Sequence, residues 1–141
     1  MVIIKQVTFE TIDQQELLQL LELLKQLSSS FTKEAVEQAL LSRQNHILVA
    51  ISQEQVVGTT TMAYLHCLTG TRVHIEDVVV DMNHRGQGIA QLLIGEAILR
   101  AKKIKAKSID LTSRPDREAA NRLYRKLGFV QRETNVYRYQ S

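Results

Sequence analysis

The stretch that most constrains this chain runs from a β-branched segment through a glycine turn into a helix-periodic segment, residues 74–104. Three consecutive valines at 78–80 favour a strand, and the spacing of apolar residues in 91–100 favours an amphipathic helix. Gly86 and Gly88 lie between them, where glycine lets the backbone turn sharply and lets its N–H groups approach a ligand. The unpaired N–H groups and the positive dipole end of the helix meet at the same point. This stretch therefore predicts a backbone cradle for a pyrophosphate group.

Two common glycine motifs for phosphate binding do not fit this turn. The chain has no Gly-x-x-x-x-Gly-Lys-Ser/Thr here, and no Gly-x-Gly-x-x-Gly followed by an acid about twenty residues later. Residues 85–90, Arg-Gly-Gln-Gly-Ile-Ala, instead fit an Arg/Gln-x-x-Gly-x-Gly/Ala pattern that follows a strand. This pattern resembles the coenzyme A signature of the GNAT superfamily of acetyl-CoA-dependent N-acetyltransferases. Taken alone, the same strand, turn and helix also occur as a purely structural unit of α/β proteins.

Length and composition limit the other possibilities. The 141 residues suffice for one domain with a proper core, so we expect a single domain over residues 1–141. The formal net charge of +3 does not by itself indicate nucleic acid, and it suits an anionic ligand. The single Cys67 excludes an intrachain disulfide framework, and neither a signal-peptide pattern nor an apolar run of membrane-spanning length is present. We therefore expect a cytoplasmic protein without a nucleic-acid or membrane partner.

Strand and helix patterns alternate along the rest of the chain. The predicted strands are 2–9, 46–52, 56–68, a strand ending near 81, 108–112, and one or two closing strands at 129–130 and 135–139. The predicted helices are 13–27, 32–41, 91–104 and 115–127. Asp13 fits an N-cap, Pro115 fits a first helical turn, and Gly128 fits the left-handed position after a helix. The order β-α-α-β-β-β-α-β-α-β-β predicts an α/β (α+β) fold, a mixed sheet with helices on both faces.

This element order is also that of the GNAT fold, which implies a mostly antiparallel sheet and extends the resemblance to essentially the whole chain. A second motif, residues 117–129, resembles the family's Ala-x-x-Leu-Tyr-x-Lys-x-Gly-Phe helix and the turn after it. The resemblance implies acetyl-CoA as cosubstrate and a possible homodimer. The four histidines have no metal-ligand spacing with Cys67 or with one another, so no metal is expected. The residues that it assigns to acetyl-CoA binding are Val78, Val79, Val80, Arg85, Gly86, Gln87, Gly88, Ile89, Ala90, Asn121 and Tyr124. Many family members carry Asn at the position of Arg117, and this chain departs from them there.

Acetyl transfer to an amine requires a base for the amine proton and an acid for the departing thiolate. The free pKa of tyrosine, about 10, suits the acid, and the resemblance places Tyr124 beside the CoA sulfur. The alternative is that Tyr124 only packs within its helix. Glu76 and Asp77 precede the apolar part of the central strand and are the candidate bases. Strand alternation puts Glu76 on the face of residues 78 and 80, unless a β-bulge changes the parity.

An acidic pair followed by an apolar triplet resembles the small-molecule amine acetyltransferases of the family, including the glucosamine-6-phosphate and polyamine types. On this basis Glu76 is the predicted base, acting directly or through water, and Asp77 is predicted to position the substrate ammonium. His74 lies next to them and is predicted to line the acceptor pocket. The structural alternative is that both carboxylates simply lie at the exposed end of a strand.

The sequence thus predicts an acyltransferase that moves the acetyl group of acetyl-CoA to a primary amine by direct attack in a ternary complex. A small-molecule amine is the favoured acceptor. Two alternatives remain, a protein or peptide N-acetyltransferase and a non-catalytic acetyl-CoA sensor of the same fold. A nucleic-acid-binding domain that uses the basic run 100–107 is disfavoured, because the net charge is modest and no aromatic residues are interleaved with the basic ones.

Overall fold

The chain forms two compact units, residues 1–111 and 112–141, in a computed structural model that describes all of residues 1–141. The first unit holds five strands and three helices, in the order β1 (Val2–Val7), α1 (Gln14–Leu24), α2 (Lys33–Leu41), β2 (Asn45–Ser52), β3 (Gln55–Cys67), β4 (Gly70–Val80), α3 (Ile89–Lys103) and β5 (Ser108–Asp110). The second unit holds one helix, α4 (Glu118–Lys126). Among the helices, none combines the length and the apolar character needed to cross a bilayer.

The five strands form one sheet in the order β1-β2-β3-β4-β5. Neighbouring strands from β1 to β4 are antiparallel, and only β5 runs parallel to its neighbour, β4. In the first unit, α1 and α2 cover one face of the sheet and α3 covers the other. The predicted fold class, a mixed and mostly antiparallel sheet with helices on both faces, is therefore confirmed.

One apolar cluster joins α1 and α2 to their face of the sheet. Its buried side chains come from both helices and from four strands: Val7, Leu20, Leu23, Val36, Leu40, Ile47, Val49, Val56 and Val79. The start of α1 is fixed by a capping box, in which the Asp13 carboxylate accepts from the Glu16 N–H at 2.7 Å and the Glu16 side chain accepts from the Asp13 N–H at 3.1 Å. The predicted N-cap is thus confirmed, and α1 is anchored at its first turn and along its apolar stripe.

The opposite face of the sheet is in close contact with α3. Gly58 lies under this helix, and a Cβ atom there would come within 3.1 Å of the side chains of Ile89 and Leu93. Since nine-tenths of real Cβ contacts are longer, Gly58 lets α3 approach the sheet closely. Leu93, Ile94 and Ala97 are completely buried in this contact face of α3. This packing holds the N-terminus of α3 close to the end of β4.

The C-terminal segment differs from the prediction. The last helix begins at Glu118, three residues after Pro115, and not at Pro115 as predicted. The predicted closing strands are absent, and residues 129–141 form neither strand nor helix. Alternating sequence predicts a strand on the assumption that one face becomes buried and that a neighbouring strand provides hydrogen bonds. Here Val136 and Tyr139 are 82% and 91% exposed, so the alternation is not accompanied by burial.

The turn between β2 and β3 carries conformational strain. Ser52 pairs with Gln55, and the two loop residues Gln53 and Glu54 have φ values of +50° and +64°, the geometry that favours Asn-Gly. A left-handed backbone conformation costs a non-glycine residue about 1–2 kcal/mol. Glycine avoids this cost, but its larger conformational entropy in the unfolded state offsets part of the gain. We expect Glu54→Gly to raise the free energy of unfolding by about 0.5–1 kcal/mol in urea titration. Glu54→Ala removes the same charge but keeps the strain and should not stabilise; equal gains in both variants would contradict this explanation.

Candidate functional site

The glycine turn leads directly from β4 into α3. After β4 the chain makes a single 3-10 turn, Met82–His84, and then Gly86 and Gly88 both adopt φ +79°. Gly88 is the N-cap of α3 in a left-handed conformation, and no side chain caps this helix end. The first helical hydrogen bond runs from the Leu92 N–H to the Gly88 carbonyl at 3.1 Å. Both glycines are therefore required by backbone geometry, as the sequence predicted.

The space in front of this turn is open. A Cβ atom at Gly86 or Gly88 would meet no heavy atom within 4 Å, and residues 85–88 are exposed. Because α3 is 15 residues long and has no side-chain cap, the positive end of its dipole is directed to solvent. A helix N-terminus of this kind, behind left-handed glycines, fits a phosphate or pyrophosphate group. The turn therefore has the geometry of an anion-binding cradle.

A network around Asp81 holds the entry to the turn. One carboxylate oxygen of Asp81 contacts His84 Nδ1 at 2.8 Å and accepts from the Asn83 N–H at 3.2 Å. The other oxygen accepts from Gln26 Nε2 at 2.8 Å. These contacts, that of Gln26 first and that of His84 second, hold the pKa of Asp81 below its ordinary value. Arg85 adds a bond from its Nε to the Val80 carbonyl at 3.2 Å, so the backbone is supported on both sides of the 3-10 turn.

Sequence reasoning did not identify this network. Asp81 is followed by Asn83 two residues later and by His84 three residues later, a local signature of an Asx turn, so Asp81 and His84 could have been recognised as turn-forming residues. Gln26 lies 55 residues before Asp81 in the sequence, and no local pattern relates them. Its position is decided by the packing of α1 on the sheet.

A β-bulge in β4 changes the direction of the acidic pair. Glu76 lies opposite Thr61 and Val79 lies opposite Thr59, so two residues of β4, Asp77 and Val78, face a single residue of β3. Asp77 has φ +53°. Thr59 and Thr61 are two residues apart and lie on one face, so Glu76 lies on the face of Val79. The expectation from plain alternation, that Glu76 shares a face with residues 78 and 80, is wrong because the bulge inserts one residue.

The bulge is stabilised from the neighbouring strand. Buried Thr60 donates from its Oγ1 to the Glu76 carbonyl at 3.1 Å. Left-handed backbone is unfavourable for aspartate, and such strain is concentrated at functional sites. The bulge leaves both Glu76 and Asp77 exposed, although the residues before and after them along the strand are wholly or largely buried. The two carboxylates are thus presented to solvent within an otherwise apolar strand.

Part of β4 has a free edge. The parallel pairing with β5 covers only Arg72, Val73 and His74, and β4 continues for six residues beyond it. No strand pairs with this edge of β4 at residues 75–80. The main-chain groups directed to this edge can therefore bond an extended ligand, as residues 78–80 were predicted to do. On β3, Ala63 lies opposite His74 and Thr61 lies opposite Glu76. Because these two β3 residues are two positions apart, His74 and Glu76 share a face.

The first unit thus brings most of the predicted site residues into one continuous stretch. His74, Glu76 and Asp77 lead along β4 into residues 78–80, and the turn at 85–90 follows. Of these side chains, His74 is half-buried and the two carboxylates are exposed. The remaining predicted residues, Asn121 and Tyr124, lie on α4 in the second unit.

In the second unit, Tyr124 is buried on α4. Its ring packs edge-on against Phe129, with ring centroids 6.1 Å apart, and only 7% of the residue is exposed. Burial raises the pKa of Tyr124 above the ordinary value of 10.0, and the nearby Arg117 opposes this effect. Asn121 donates from Nδ2 to the Arg114 carbonyl at 3.0 Å, so one amide proton is already bonded. Gly128 has φ +104°, which confirms the left-handed residue predicted after this helix.

Two histidines outside the turn, His46 and His66, have hydrogen-bond partners in the first unit. His46 Nδ1 lies 2.9 Å from the Tyr64 hydroxyl, and His66 Nδ1 lies 3.0 Å from the Thr71 hydroxyl. Burial, assisted by the charge of Arg100, lowers the pKa of His46. No group of three or more His, Cys, Asp or Glu side chains in the structure is arranged to hold a metal ion.

Comparison with known proteins places this geometry in a family. The sequence model of the acetyltransferase (GNAT) family matches residues 14–129, a range that extends across both units. Three solved structures align with almost the full length of the chain. An aminoglycoside acetyltransferase, meta-AAC0020 from an uncultured soil metagenomic sample, is 20% identical with a TM-score of 0.83, and the alignment covers 99% of this chain and 95% of that one.

The other two structures are equally distant in sequence. AAC(6')-Iy in complex with the bisubstrate analogue CoA-S-monomethyl-acetylneamine is 18% identical, with a TM-score of 0.83 and coverage of 100% and 99%. The ribosomal-protein-alanine N-acetyltransferase of Brucella melitensis biovar Abortus 2308 is 19% identical, with a TM-score of 0.79 and coverage of 99% and 100%. At such identities the alignments show a shared fold. Because the family match covers most of the chain, this protein belongs to the acetyltransferase (GNAT) family and is an acyltransferase.

Proposed function

We propose that this protein transfers the acetyl group of acetyl-CoA to a primary amine of a small molecule. The observation that carries the proposal is the uncapped N-terminus of α3 behind two left-handed glycines, in the same stretch as two exposed carboxylates. Bound acetyl-CoA supplies an activated thioester, which the amine attacks directly in a ternary complex. The protein then supplies binding, orientation and two proton transfers, one from the amine to the protein and one from the protein to the departing thiolate.

Binding of the cosubstrate is assigned to main-chain groups. In this proposal the backbone N–H groups of residues 85–90 hold the pyrophosphate, where the helix dipole favours negative charge. The free edge of residues 78–80 bonds the pantetheine arm, since no strand occupies it. Main-chain recognition leaves the valine side chains available for packing, and Val79 is indeed part of the apolar cluster under α1 and α2.

Glu76 is proposed to accept the proton of the amine, directly or through a water molecule. Its exposure on a bulged strand supports this role, because a base must reach a substrate that enters from solvent. Asp77 would hold the substrate ammonium through its charge, and His74 would contribute to the acceptor pocket from the same face as Glu76. An acidic pair suits a cationic small amine, which is the reason for the proposed acceptor class.

Tyr124 is proposed to protonate the departing thiolate, with Asn121 as a nearby contact for the cosubstrate. Burial raises the pKa of Tyr124, so its hydroxyl stays protonated at neutral pH and has a proton to give.

For the base, we expect Glu76→Gln to lower kcat/KM for the amine at pH 8 by about tenfold, because a water molecule replaces the carboxylate only in part. Acetyl-CoA affinity should stay within about twofold of wild type, since the side chain is assigned to the amine and not to the cosubstrate. Glu10→Gln removes an exposed glutamate outside the proposed site and serves as the control. An unchanged kcat/KM in Glu76→Gln would remove Glu76 from the mechanism.

The proposed function as a whole is tested in two steps on one preparation. Calorimetric titration with acetyl-CoA measures binding, and thiol release is then followed with an aminoglycoside, a polyamine, an amino sugar, a lysine peptide and a peptide with a free N-terminus. Binding together with release by a small amine supports the proposal. Release with peptides only would overturn the acceptor class, binding without any release would indicate a sensor, and a lack of binding would overturn the function.

A further inference from the structure

Gln26 connects the end of α1 to the glycine turn. Its Nε2 donates to the Asp81 carboxylate at 2.8 Å, and its Oε1 accepts from the Met82 N–H at 2.9 Å. Both ends of one side-chain amide are thus bonded to adjacent residues of the segment that leads into the turn. The second Asp81 oxygen bonds His84 and Asn83, so the same carboxylate joins Gln26 to the rest of the 3-10 turn.

The backbone of this segment is held from the other side as well. The Asp81 N–H donates to the Val57 carbonyl at 2.8 Å, and the His84 N–H donates to the Asp81 carbonyl at 2.8 Å. Without Gln26, Asp81 loses its bond from Nε2 and the Met82 N–H loses its acceptor. The 3-10 turn is the covalent link between β4 and Arg85, so a shift here is passed to the glycines that follow it.

The backbone position of Gln26 is fixed by α1. It follows α1 by two residues, and its N–H donates to the Leu23 carbonyl at 3.0 Å. Leu20 and Leu23 bury α1 against the sheet, each at 3% exposure. A side chain anchored in this way can hold a loop to the sheet at a defined position. A reacting group bound through pyrophosphate requires such precision, because small displacements strongly reduce the rate.

We propose that Gln26 is a positioning residue for acetyl-CoA, holding the Asp81–Met82 segment so that the glycine turn keeps its pyrophosphate-binding geometry. This inference rests on the proposed function of the same site. Gln26 does not touch the cosubstrate in this proposal; it acts through Asp81 and the Met82 N–H.

The test compares two acyl donors, acetyl-CoA and S-acetyl-pantetheine, which lacks the pyrophosphate. We expect Gln26→Ala to lower kcat/KM for acetyl-CoA by about tenfold and that for S-acetyl-pantetheine by less than about twofold, because only the former uses the turn. The calorimetric Kd for CoA should rise about tenfold in parallel. Gln15→Ala, an exposed glutamine on α1, is the matched control and should alter neither value.

A second variant tests the donor half of the amide. Gln26→Glu keeps an oxygen for the Met82 N–H but places a carboxylate against Asp81, so we expect a loss of acetyl-CoA kcat/KM at least as large as in Gln26→Ala. If both acyl donors lost kcat/KM by the same factor, so that the ratio of their kcat/KM values stayed at the wild-type value, the inference would be overturned. Failure of the wild-type protein to bind acetyl-CoA would overturn the proposed function, and the inference with it. Wild-type binding with an unaltered ratio in Gln26→Ala would overturn the inference alone.

Discussion

Gly88→Val is expected to weaken acetyl-CoA binding by at least about 100-fold while leaving a folded protein. Gly88 has φ +79°, and a β-branched residue there either strains the backbone or forces the turn into another conformation. The strain lowers the free energy of unfolding by about 1–2 kcal/mol. The new side chain would also extend into the open space that the proposed pyrophosphate occupies. Calorimetric Kd for acetyl-CoA and a urea titration measure the two effects separately.

The control for Gly88→Val is a glycine with positive φ outside the turn. Gly70 has φ +135° at the tip of the β3–β4 hairpin, where a Cβ atom would meet only the side chain of Lys107. Gly70→Val should therefore reduce stability without changing the Kd for acetyl-CoA. If Gly88→Val bound acetyl-CoA with wild-type affinity, the glycine turn would have a structural role only.

Tyr124→Phe is expected to lower the single-turnover rate constant for acetyl transfer by about 100-fold, because general-acid catalysis contributes a factor of this size or more. The substitution removes one oxygen atom and keeps the ring packed edge-on against Phe129. Stability and the Kd for acetyl-CoA should therefore remain close to wild type. Tyr137→Phe, at an 87% exposed position, is the matched control. An unchanged single-turnover rate in Tyr124→Phe would remove the acid role.

The pH profile provides an independent check on Tyr124. Burial raises its pKa above 10.0, so the hydroxyl is mostly protonated in the range from pH 6 to 9 and is half-deprotonated only above the ordinary tyrosine pKa. The acid form is thus the low-pH form, and Tyr124 should add no limb to the profile of kcat in this range. We expect Tyr124→Phe to lower the whole profile without changing its shape; a basic limb that disappears in the variant would contradict the raised pKa.

Local sequence patterns predicted most elements of the first unit. The N-cap at Asp13, the break between the strands predicted at 46–52 and 56–68, and the turn before α3 depend on interactions between residues that are close in sequence. The alternation in residues 135–139 indicated a strand that did not form. That pattern depends on a neighbouring edge and a buried face, and neither property is encoded by the segment itself.

In the candidate site too, some features were predictable from local sequence and others depended on contacts between strands. The glycine turn and its two left-handed residues follow from the sequence, because no other amino acid adopts φ +79° at so little cost. The bulge at Asp77 was foreseen only as an alternative, since it depends on how many residues of β3 oppose those of β4. Its consequence, Glu76 on the face of Val79, could be read only from the strand register.

The sequence by itself determined the order of strands and helices from β1 to α4 and the left-handed glycine turn at the start of α3, and its motifs at residues 85–90 and 117–129 carry the resemblance to one acetyltransferase family. The element order and the turn result from backbone preferences and from the periodicity of apolar residues, which are properties of neighbours along the chain. Only the tertiary structure decided that Gln26 bonds Asp81 and Met82, that β4 has a free edge beyond His74, and that the bulge exposes both carboxylates. Each of these results from contacts between segments distant in sequence, where side-chain packing and strand register, and not local preference, fix the geometry.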